Sequence, residues 1–233
     1  MQAGKICVSL AGIDAAALCD QARHMLDKVD VIEVRLDSMM RPDVAKCSSL
    51  LRKPLLFTNR PLWEGGAYDG SEDERIQPLL EAVQLRAAYI DFELRADQQL
   101  REALLKAMQD QVTHHATRMI LSWHDFDSTP AASELAGILQ QMMDSGAQVG
   151  KIVTTAHGPQ DVLRVLRLQE QAEAAGFPLS CFCMGEPGRI SRLATLYLGG
   201  YMTYACLTDE QATAAGQLSV EQLQTLTSLL AST

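Results

Sequence analysis

Short apolar runs alternate with longer amphipathic stretches along the whole chain. The runs predict eight strands, at 5–10, 29–37, 54–60, 89–94, 118–126, 148–156, 178–184 and 201–207. The stretches between them repeat apolar residues at helical spacing. Capping patterns mark several helix starts, namely Ser71 with Glu74, Ser219 with Gln222, and Thr129 before Pro130.

This alternation indicates a parallel α/β fold. Eight strands and their helices within 233 residues are typical of a (β/α)8 TIM barrel. An open doubly wound sheet is the alternative, but the sequence lacks the GxGxxG motif expected after the first strand of such a fold. No linker interrupts the pattern, so we expect residues 1–233 to form a single domain.

Several predicted strands carry charged residues at every second position. Glu33 and Arg35 alternate with apolar neighbours in the second strand, and Asp91 and Glu93 do so in the fourth. Side chains of a strand alternate between its two faces, and parallel strands are normally covered on both. Buried charges are costly unless they are paired or used. We therefore expect a charged barrel lumen rather than half-exposed strand faces.

Composition narrows the class of protein. A net charge of -9 and the absence of any basic cluster argue against nucleic-acid binding. The six cysteines have neither CxxC pairing nor zinc-site spacing, which is typical of reduced cytosolic thiols. The chain shows no signal peptide and no apolar run of membrane-spanning length. We expect a cytoplasmic protein without a metal or membrane partner.

Lys151 is one of only six lysines and lies early in the sixth predicted strand, where both faces should be buried. An amine nucleophile must lose its proton near neutral pH, and burial beside Arg35 or Arg60 favours that loss. A structural ion pair with Glu33 or Glu93 is the alternative interpretation.

His124 ends the fifth predicted strand, and barrel enzymes build their sites at the carboxyl ends of the strands. Imidazole titrates near neutrality and can move protons in both directions. We interpret His124 as a candidate acid–base group. The remaining histidines are interpreted as structural: His24, His114, His115 and His157.

Three loops add candidate binding groups. Arg60 and Glu64 leave the third strand and precede a Gly-Gly pair that permits close approach to a ligand, although a solvated ion pair would look the same. Arg192 begins the helix after the seventh strand, where a guanidinium and backbone amides can receive a carboxylate. The small residues at 212–217 are typical of a lid.

Taken in order, these motifs resemble those of type I 3-dehydroquinate dehydratase. The resemblance runs from Ser9 to Gln217 and so covers nearly the whole chain. It rests on Glu33-Val34-Arg35, Arg60 with Glu64-Gly65-Gly66, Ser122-Trp123-His124-Asp125-Phe126, Lys151, Ile190-Ser191-Arg192 and Ala215-Gly216-Gln217.

The resemblance implies a role for each matched residue. Lys151 forms an imine with the substrate 3-dehydroquinate, His124 is the general acid and base, and Glu64 orients or assists it. The ring hydroxyls and carboxylate are held by Glu33, Arg35, Arg60, Arg192 and Gln217, with Ser9 near the substrate. The resemblance also implies a homodimer. The reaction it implies, elimination of water from 3-dehydroquinate, needs neither a metal nor an organic cofactor.

Two positions depart from the family pattern. The family usually has serine where this chain has Thr213, and proline where it has Ala215. Because threonine keeps the hydroxyl, we expect Thr213 to bind the substrate carboxylate. The alanine predicts a looser lid.

Two other functions are alternatives. A class I aldolase also carries an imine-forming lysine on its sixth strand, but it commonly needs a phosphate site among the late loops, where this chain has Glu186. A catalytically silent sensor of quinate-like acids is the second alternative. Such a sensor should have lost the lysine or the histidine, and both are present here.

Overall fold

The computed structural model describes residues 4–110 and 116–231. Its strands are β1 (Lys5–Leu10), β2 (Val31–Arg35), β3 (Leu55–Thr58), β4 (Tyr89–Glu93), β5 (Arg118–His124), β6 (Val149–Thr155), β7 (Leu179–Met184), β8 (Met202–Cys206) and β9 (Leu218–Ser219). Its helices are α1 (Ala15–Ala22), α2 (Val44–Leu50), α3 (Glu72–Arg75), α4 (Gln77–Gln84), α5 (Gln98–Gln109), α6 (Ala132–Asp144), α7 (Pro159–Ala174), α8 (Arg189–Tyr197) and α9 (Val220–Ala231). All eight predicted strands are present, each with ends within two residues of the prediction. The two-residue β9 was not predicted.

The strands form one parallel sheet in the order β7-β6-β5-β4-β3-β2-β1-β8-β9. Helices connect successive strands, which confirms the predicted (β/α)8 barrel fold. Within the described residues no ladder joins β7 to β8. The sheet curls until these strands meet at a seam, where Tyr201 N–H donates to the Leu179 carbonyl at 2.8 Å and Met202 N–H to Ser180 Oγ at 3.1 Å.

Two of the three predicted helix starts are confirmed. Ser71 caps α3, and Ser219 and Gln222 exchange hydrogen bonds of 3.1 and 3.2 Å at the start of α9. The third is wrong, because α6 begins at Ala132. The Thr129 hydroxyl lies 2.8 Å from the Thr155 carbonyl oxygen, so it joins this loop to β6 instead of capping the helix.

The barrel has two separate hydrophobic regions. One fills the layer between the strands and the helices. The other lies inside the barrel, where Val31, Leu56, Ile120 and Val149 belong to an apolar layer that forms the floor of the lumen. Residues two positions further along these strands point into the same lumen above the floor. Glu33 and Asp91, two positions beyond Val31 and Tyr89, lie at that higher level, as the alternation predicted.

Two of the four histidines interpreted as structural lie in the described residues. His24 and His157 are exposed, and His157 Nε2 lies 2.6 Å from the Asp127 carbonyl oxygen. His114 and His115 lie outside the described residues. No described helix has both the length and the apolar character that crossing a bilayer requires.

Arg75 is a fully buried cation that ties the loop after β3 to the end of β4. Its Nη1 lies 2.7 Å from Glu93 Oε2 and donates to the Asn59 carbonyl at 2.9 Å, while Nη2 donates to Glu72 at 2.8 Å. A guanidinium removed from water in this way is stable only because carboxylates and a carbonyl surround it.

We therefore expect Arg75→Met to destabilise the protein by about 3 kcal/mol, since it leaves buried acceptors without their donor. The measurement is the free energy of unfolding in urea. Arg23→Met is the matched control, because the Arg23–Asp20 pair is solvent-exposed and should contribute less than about 1 kcal/mol. Equal losses in the two variants would contradict this reading of Arg75.

Candidate active site

A cavity opens at the carboxyl ends of the strands. Nine of the ten predicted site residues line it: Glu33, Arg35, Arg60, Glu64, His124, Lys151, Arg192, Thr213 and Gln217. The fold thus brings together residues that are up to 184 positions apart in the chain, from Glu33 to Gln217.

Ser9 is the exception among the predicted residues. It is buried on β1, in register with Glu33 on β2, and is not part of the cavity lining. The contact of Ser9 with a ligand therefore stays a prediction.

Lys151 projects from β6 into the lumen. Its Nζ lies 3.4 Å from Asp91 Oδ2, 3.8 Å from Glu33 Oε1 and 4.0 Å from the centre of the Tyr204 ring. The partners of the ammonium are thus carboxylates and a ring face. Of the two ion pairs considered from sequence, the one with Glu33 is present, while Glu93 pairs with arginines instead.

Asp91 links Lys151 to Arg60. Its Oδ1 accepts from Arg60 Nη2 at 2.8 Å and from Ser122 Oγ at 2.6 Å, while its Oδ2 faces the lysine. Arg60 Nη1 also donates to Glu93 at 2.6 Å. Two cations and two carboxylates therefore alternate through the lumen, and each buried charge has an opposite neighbour.

The second strand supplies an anion and a cation to the cavity wall. Glu33 accepts a 2.8 Å hydrogen bond from Thr58 Oγ1, and Arg35 makes a bidentate pair with Asp37 at 2.9 and 2.6 Å. Burial raises the pKa of Glu33, but the charges of Lys151 and Arg35 outweigh it and hold that pKa below its ordinary value. Glu33 is therefore a carboxylate at neutral pH.

His124 and Glu64 form a hydrogen-bonded pair. Glu64 Oε1 accepts the backbone N–H of His124 at 2.8 Å and lies 3.2 Å from its Nδ1. With Nδ1 carrying the proton toward the carboxylate, Nε2 is the free basic nitrogen. Burial, followed by the charges of Arg60 and Lys151, holds the pKa of His124 well below its ordinary value. The imidazole is neutral at pH 7 and can accept a proton.

The turn that carries Glu64 depends on a glycine. Gly65 has φ +76°, a conformation that favours glycine, and a Cβ there would lie 2.3 Å from Phe126 Cζ. Phe126 in turn stacks on the His124 ring, with centroids 5.8 Å apart. The close approach expected of this loop is therefore made to an aromatic ring that packs on the histidine.

Arg192 is a buried cation without a carboxylate. Its Nε and Nη2 have no hydrogen-bond partner among the described residues, and its guanidinium lies 4.7 Å from the centre of the Phe182 ring. Burial lowers the pKa of Arg192 to about 10, so it stays charged at neutral pH. A desolvated guanidinium with free donors beside a cavity is a site for an anion.

The predicted lid segment reaches the cavity beside Arg192. Thr213 donates its N–H and its hydroxyl to Gln217 Oε1, at 2.9 and 3.3 Å. Gly185 N–H donates to the Ala215 carbonyl at 3.2 Å, and a Cβ on Gly216 would lie 2.5 Å from the Gly185 carbonyl oxygen. The segment thus rests on the loop after β7.

Several residues of the site were not assigned a role from sequence. Asp91 was noted only for its alternation, yet it holds the lysine, and Asp37 holds Arg35. Tyr204 and Phe182 form the aromatic faces under the two cations. The alternation of Asp91 with apolar neighbours was a usable signal, whereas nothing local marks a lumen aromatic.

Among the described residues, no cluster of three or more His, Cys, Asp or Glu side chains fits a metal ion.

Comparison with known proteins identifies the family. The family model described as Type I 3-dehydroquinase matches residues 6–233. A 3-dehydroquinate dehydratase from Desulfotalea psychrophila is 44% identical over 96% of this chain and 97% of its own length. One from Methanosarcina barkeri is 31% identical over 86% of this chain and 85% of its own length.

A solved structure shows the same relationship. The type I 3-dehydroquinate dehydratase of Clostridium difficile, solved with covalently modified comenic acid, superposes with a TM-score of 0.87 at 26% identity. The superposition covers 99% of this chain and 93% of that chain. The family match over nearly the whole chain, together with these relatives, shows that the chain belongs to the type I 3-dehydroquinase family.

Proposed function

We propose that the protein removes water from 3-dehydroquinate to give 3-dehydroshikimate, through an imine on Lys151. One observation carries this assignment: the Nζ of Lys151, a neutral imidazole on His124 and an unmatched guanidinium on Arg192 line one cavity. The substrate needs a nucleophile for its ketone, a base for the adjacent proton and a cation for its carboxylate. Family membership supports the same reaction.

The charges of the cavity orient the substrate. The carboxylate binds Arg192, which has free donors, and the Thr213 and Gln217 end of the cavity closes over it. The ring hydroxyls lie toward Glu33, Arg35 at the end of β2 and Arg60 in the loop after β3. This placement presents the ketone to the lysine, since both lie at the centre of the lumen.

The Lys151 ammonium releases a proton and Nζ attacks the C3 ketone. A proton then leaves with the adduct oxygen as water, so the net change from ammonium and ketone is a protonated imine and one water. The imine draws electrons from the C2–H bond and so makes that proton acidic. Asp91 and Glu33 flank the nitrogen at 3.4 and 3.8 Å before the reaction, and they remain as counter-charges to the protonated imine. The carboxylates therefore stabilise the cationic intermediate.

His124 removes the C2 proton through Nε2, and the resulting imidazolium gives a proton to the departing C1 hydroxyl. Glu64 holds the Nδ1 proton and stabilises the imidazolium. One residue can serve both steps only if both groups lie on one face of the ring, which makes the elimination syn. General acid–base assistance contributes roughly 10²–10⁴-fold, so imine formation and orientation must supply the rest.

The remaining proposals concern the localisation, pathway and assembly of the protein. We propose a cytoplasmic enzyme of aromatic amino-acid biosynthesis that acts as one catalytic domain, as a homodimer, without metal or organic cofactor, membrane or nucleic acid. The aldolase and sensor alternatives lack support of their own, since family membership favours dehydration and both Lys151 and His124 line the cavity.

Borohydride added together with 3-dehydroquinate should inactivate the enzyme and leave one reduced ligand mass on the Lys151 peptide, because reduction traps the imine. Peptide mass spectrometry checks this. Treatment with borohydride alone is the control and should leave activity intact. Label on any of the other lysines, or full activity after treatment with substrate, would contradict the covalent mechanism.

His124→Ala should lower kcat by at least about 10³-fold, because it removes the group that moves both protons. Imine formation at Lys151 precedes removal of the C2 proton, so intact-mass measurement after borohydride should still detect an adduct. His157→Ala is the matched control, since His157 is exposed and does not line the cavity. Parental turnover by the His124 variant would refute its role.

The lid position offers a graded test. Thr213→Ser keeps the hydroxyl and should change kcat/KM little, whereas Thr213→Val removes it at nearly constant shape. If the hydroxyl binds the substrate carboxylate, Thr213→Val should lose about 1.5–3 kcal/mol in kcat/KM, and Gln217→Ala a comparable amount. Hydrogen exchange of residues 208–217 with and without ligand completes the measurement. Parental kinetics for Thr213→Val without ligand-dependent protection would make this segment an ordinary connection.

A further inference from the structure

Arg95 lies just beyond β4 and contacts both members of the His124–Glu64 pair from outside the cavity. Its Nη2 lies 3.1 Å from Glu64 Oε2 and donates to the backbone carbonyl of His124. Its guanidinium stacks over the Trp123 ring at 5.3 Å. The side chain is 48% exposed, whereas the Glu64 side chain is fully buried. Arg95 does not line the cavity and so has no contact with the proposed substrate.

We propose that Arg95 is a positioning residue that acts on the proposed reaction through Glu64. Each oxygen of the Glu64 carboxylate has a charged or polar neighbour: Oε1 faces His124, and Oε2 forms an ion pair with Arg95 but has no hydrogen-bond partner among the described residues. Rotation of the carboxylate that released Oε1 from His124 would also break the Arg95 contact. The arginine therefore fixes the carboxylate in the orientation that keeps a proton on Nδ1 and leaves Nε2 free.

The Trp123 ring explains why a half-exposed side chain can hold this geometry. Solvated ion pairs usually contribute little, because each long side chain must be immobilised. Arg95 is restrained independently by the ring under its guanidinium and by the His124 carbonyl. The planar fork of arginine suits a site with several acceptors, and a lysine in its place has only a compact ammonium.

The charge of Arg95 also acts on the titration of the pair. Burial raises the pKa of Glu64, and Arg60 and Arg95 oppose that rise. Burial and four cations lower the pKa of His124, and these cations are Arg60, Lys151, Arg35 and Arg95. Loss of one cation favours the protonated form of both groups. Because both must be deprotonated before the C2 proton is removed, the acid limb of activity should move to higher pH.

The experiment compares Arg95→Gln with Arg95→Lys and with Arg23→Gln, a control whose arginine pairs with Asp20 in full solvent. Arg95→Gln should lower kcat about threefold and raise the acid limb of kcat/KM by about 0.5 pH unit, a shift scaled to a half-exposed ion pair. KM should change less than about twofold, because Arg95 touches no substrate. Arg95→Lys keeps the charge, so its acid limb should stay at the parental pH.

A double-mutant cycle identifies the route of the effect. In a Glu64→Gln background the carboxylate is already gone, so adding Arg95→Gln should change kcat less than about twofold. If the kcat losses of Glu64→Gln and Arg95→Gln multiply in the double variant, the proposal is overturned. A parental pH profile in Arg95→Gln would overturn it too. If Arg95→Gln does not fold, the test uses Arg95→Lys, and an acid limb at higher pH than in the parent would overturn the role of the charge.

This inference rests on the proposed function, and one measurement separates the two. The NMR titration of the His124 ring needs no turnover, and its midpoint should rise in Arg95→Gln relative to the parent. If the parent does not convert 3-dehydroquinate, the proposed function fails while the titration still reports on Arg95. An unchanged His124 midpoint in an enzyme that does convert it would defeat only the inference.

Discussion

The contact between Asp91 and both Lys151 and Arg60 is the constraint on which the rest of the site depends. Burial in the barrel lumen removes most of the water that would stabilise a charge, so a lone ammonium there would be costly. Asp91 faces the lysine with one oxygen and the arginine with the other. Glu93 continues the alternation to Arg60 and Arg75. Each charge is retained because its neighbours compensate it, and the lysine is thereby held at the centre of the barrel.

Arg192 has no carboxylate partner among the described residues, in contrast to Lys151. The two ends of the cavity therefore differ in how their charge is balanced. The lysine end is balanced within the protein, so charge formed there on an intermediate already has counter-ions. The arginine end is unbalanced, and a bound anion would supply the missing charge. In the proposed function, binding selectivity and chemistry thus depend on different residues of one cavity. The neutral His124 lies on the chemical side, where burial and nearby cations favour its unprotonated form.

Much of the fold could be predicted from the sequence because it depends on local periodicity, and most of the candidate site because its motifs resemble those of a known family. Alternating charges on β2 and β4 predicted the polar lumen, and Lys151 and His124 followed from their positions on strands. Interactions that depend on distance in space could not be predicted. Thr129 looks like a helix cap until β6 offers its hydroxyl a buried acceptor. Arg95 reads as an ordinary charged residue after a strand, since its partners lie 31 residues before it and 29 after it.

The seam between β7 and β8 gives the barrel one sector with few backbone hydrogen bonds. From β2 to β6 every strand is joined to neighbours on both sides, and this sector carries the lysine, the histidine and their counter-charges. Among the described residues, isolated hydrogen bonds rather than a ladder join the edges of the seam, and the segment at 208–217 runs across it from β8 to the loop after β7. A displacement of that segment would therefore act on the least connected part of the sheet. The strands that carry Lys151 and His124, each joined on both sides, would keep their places.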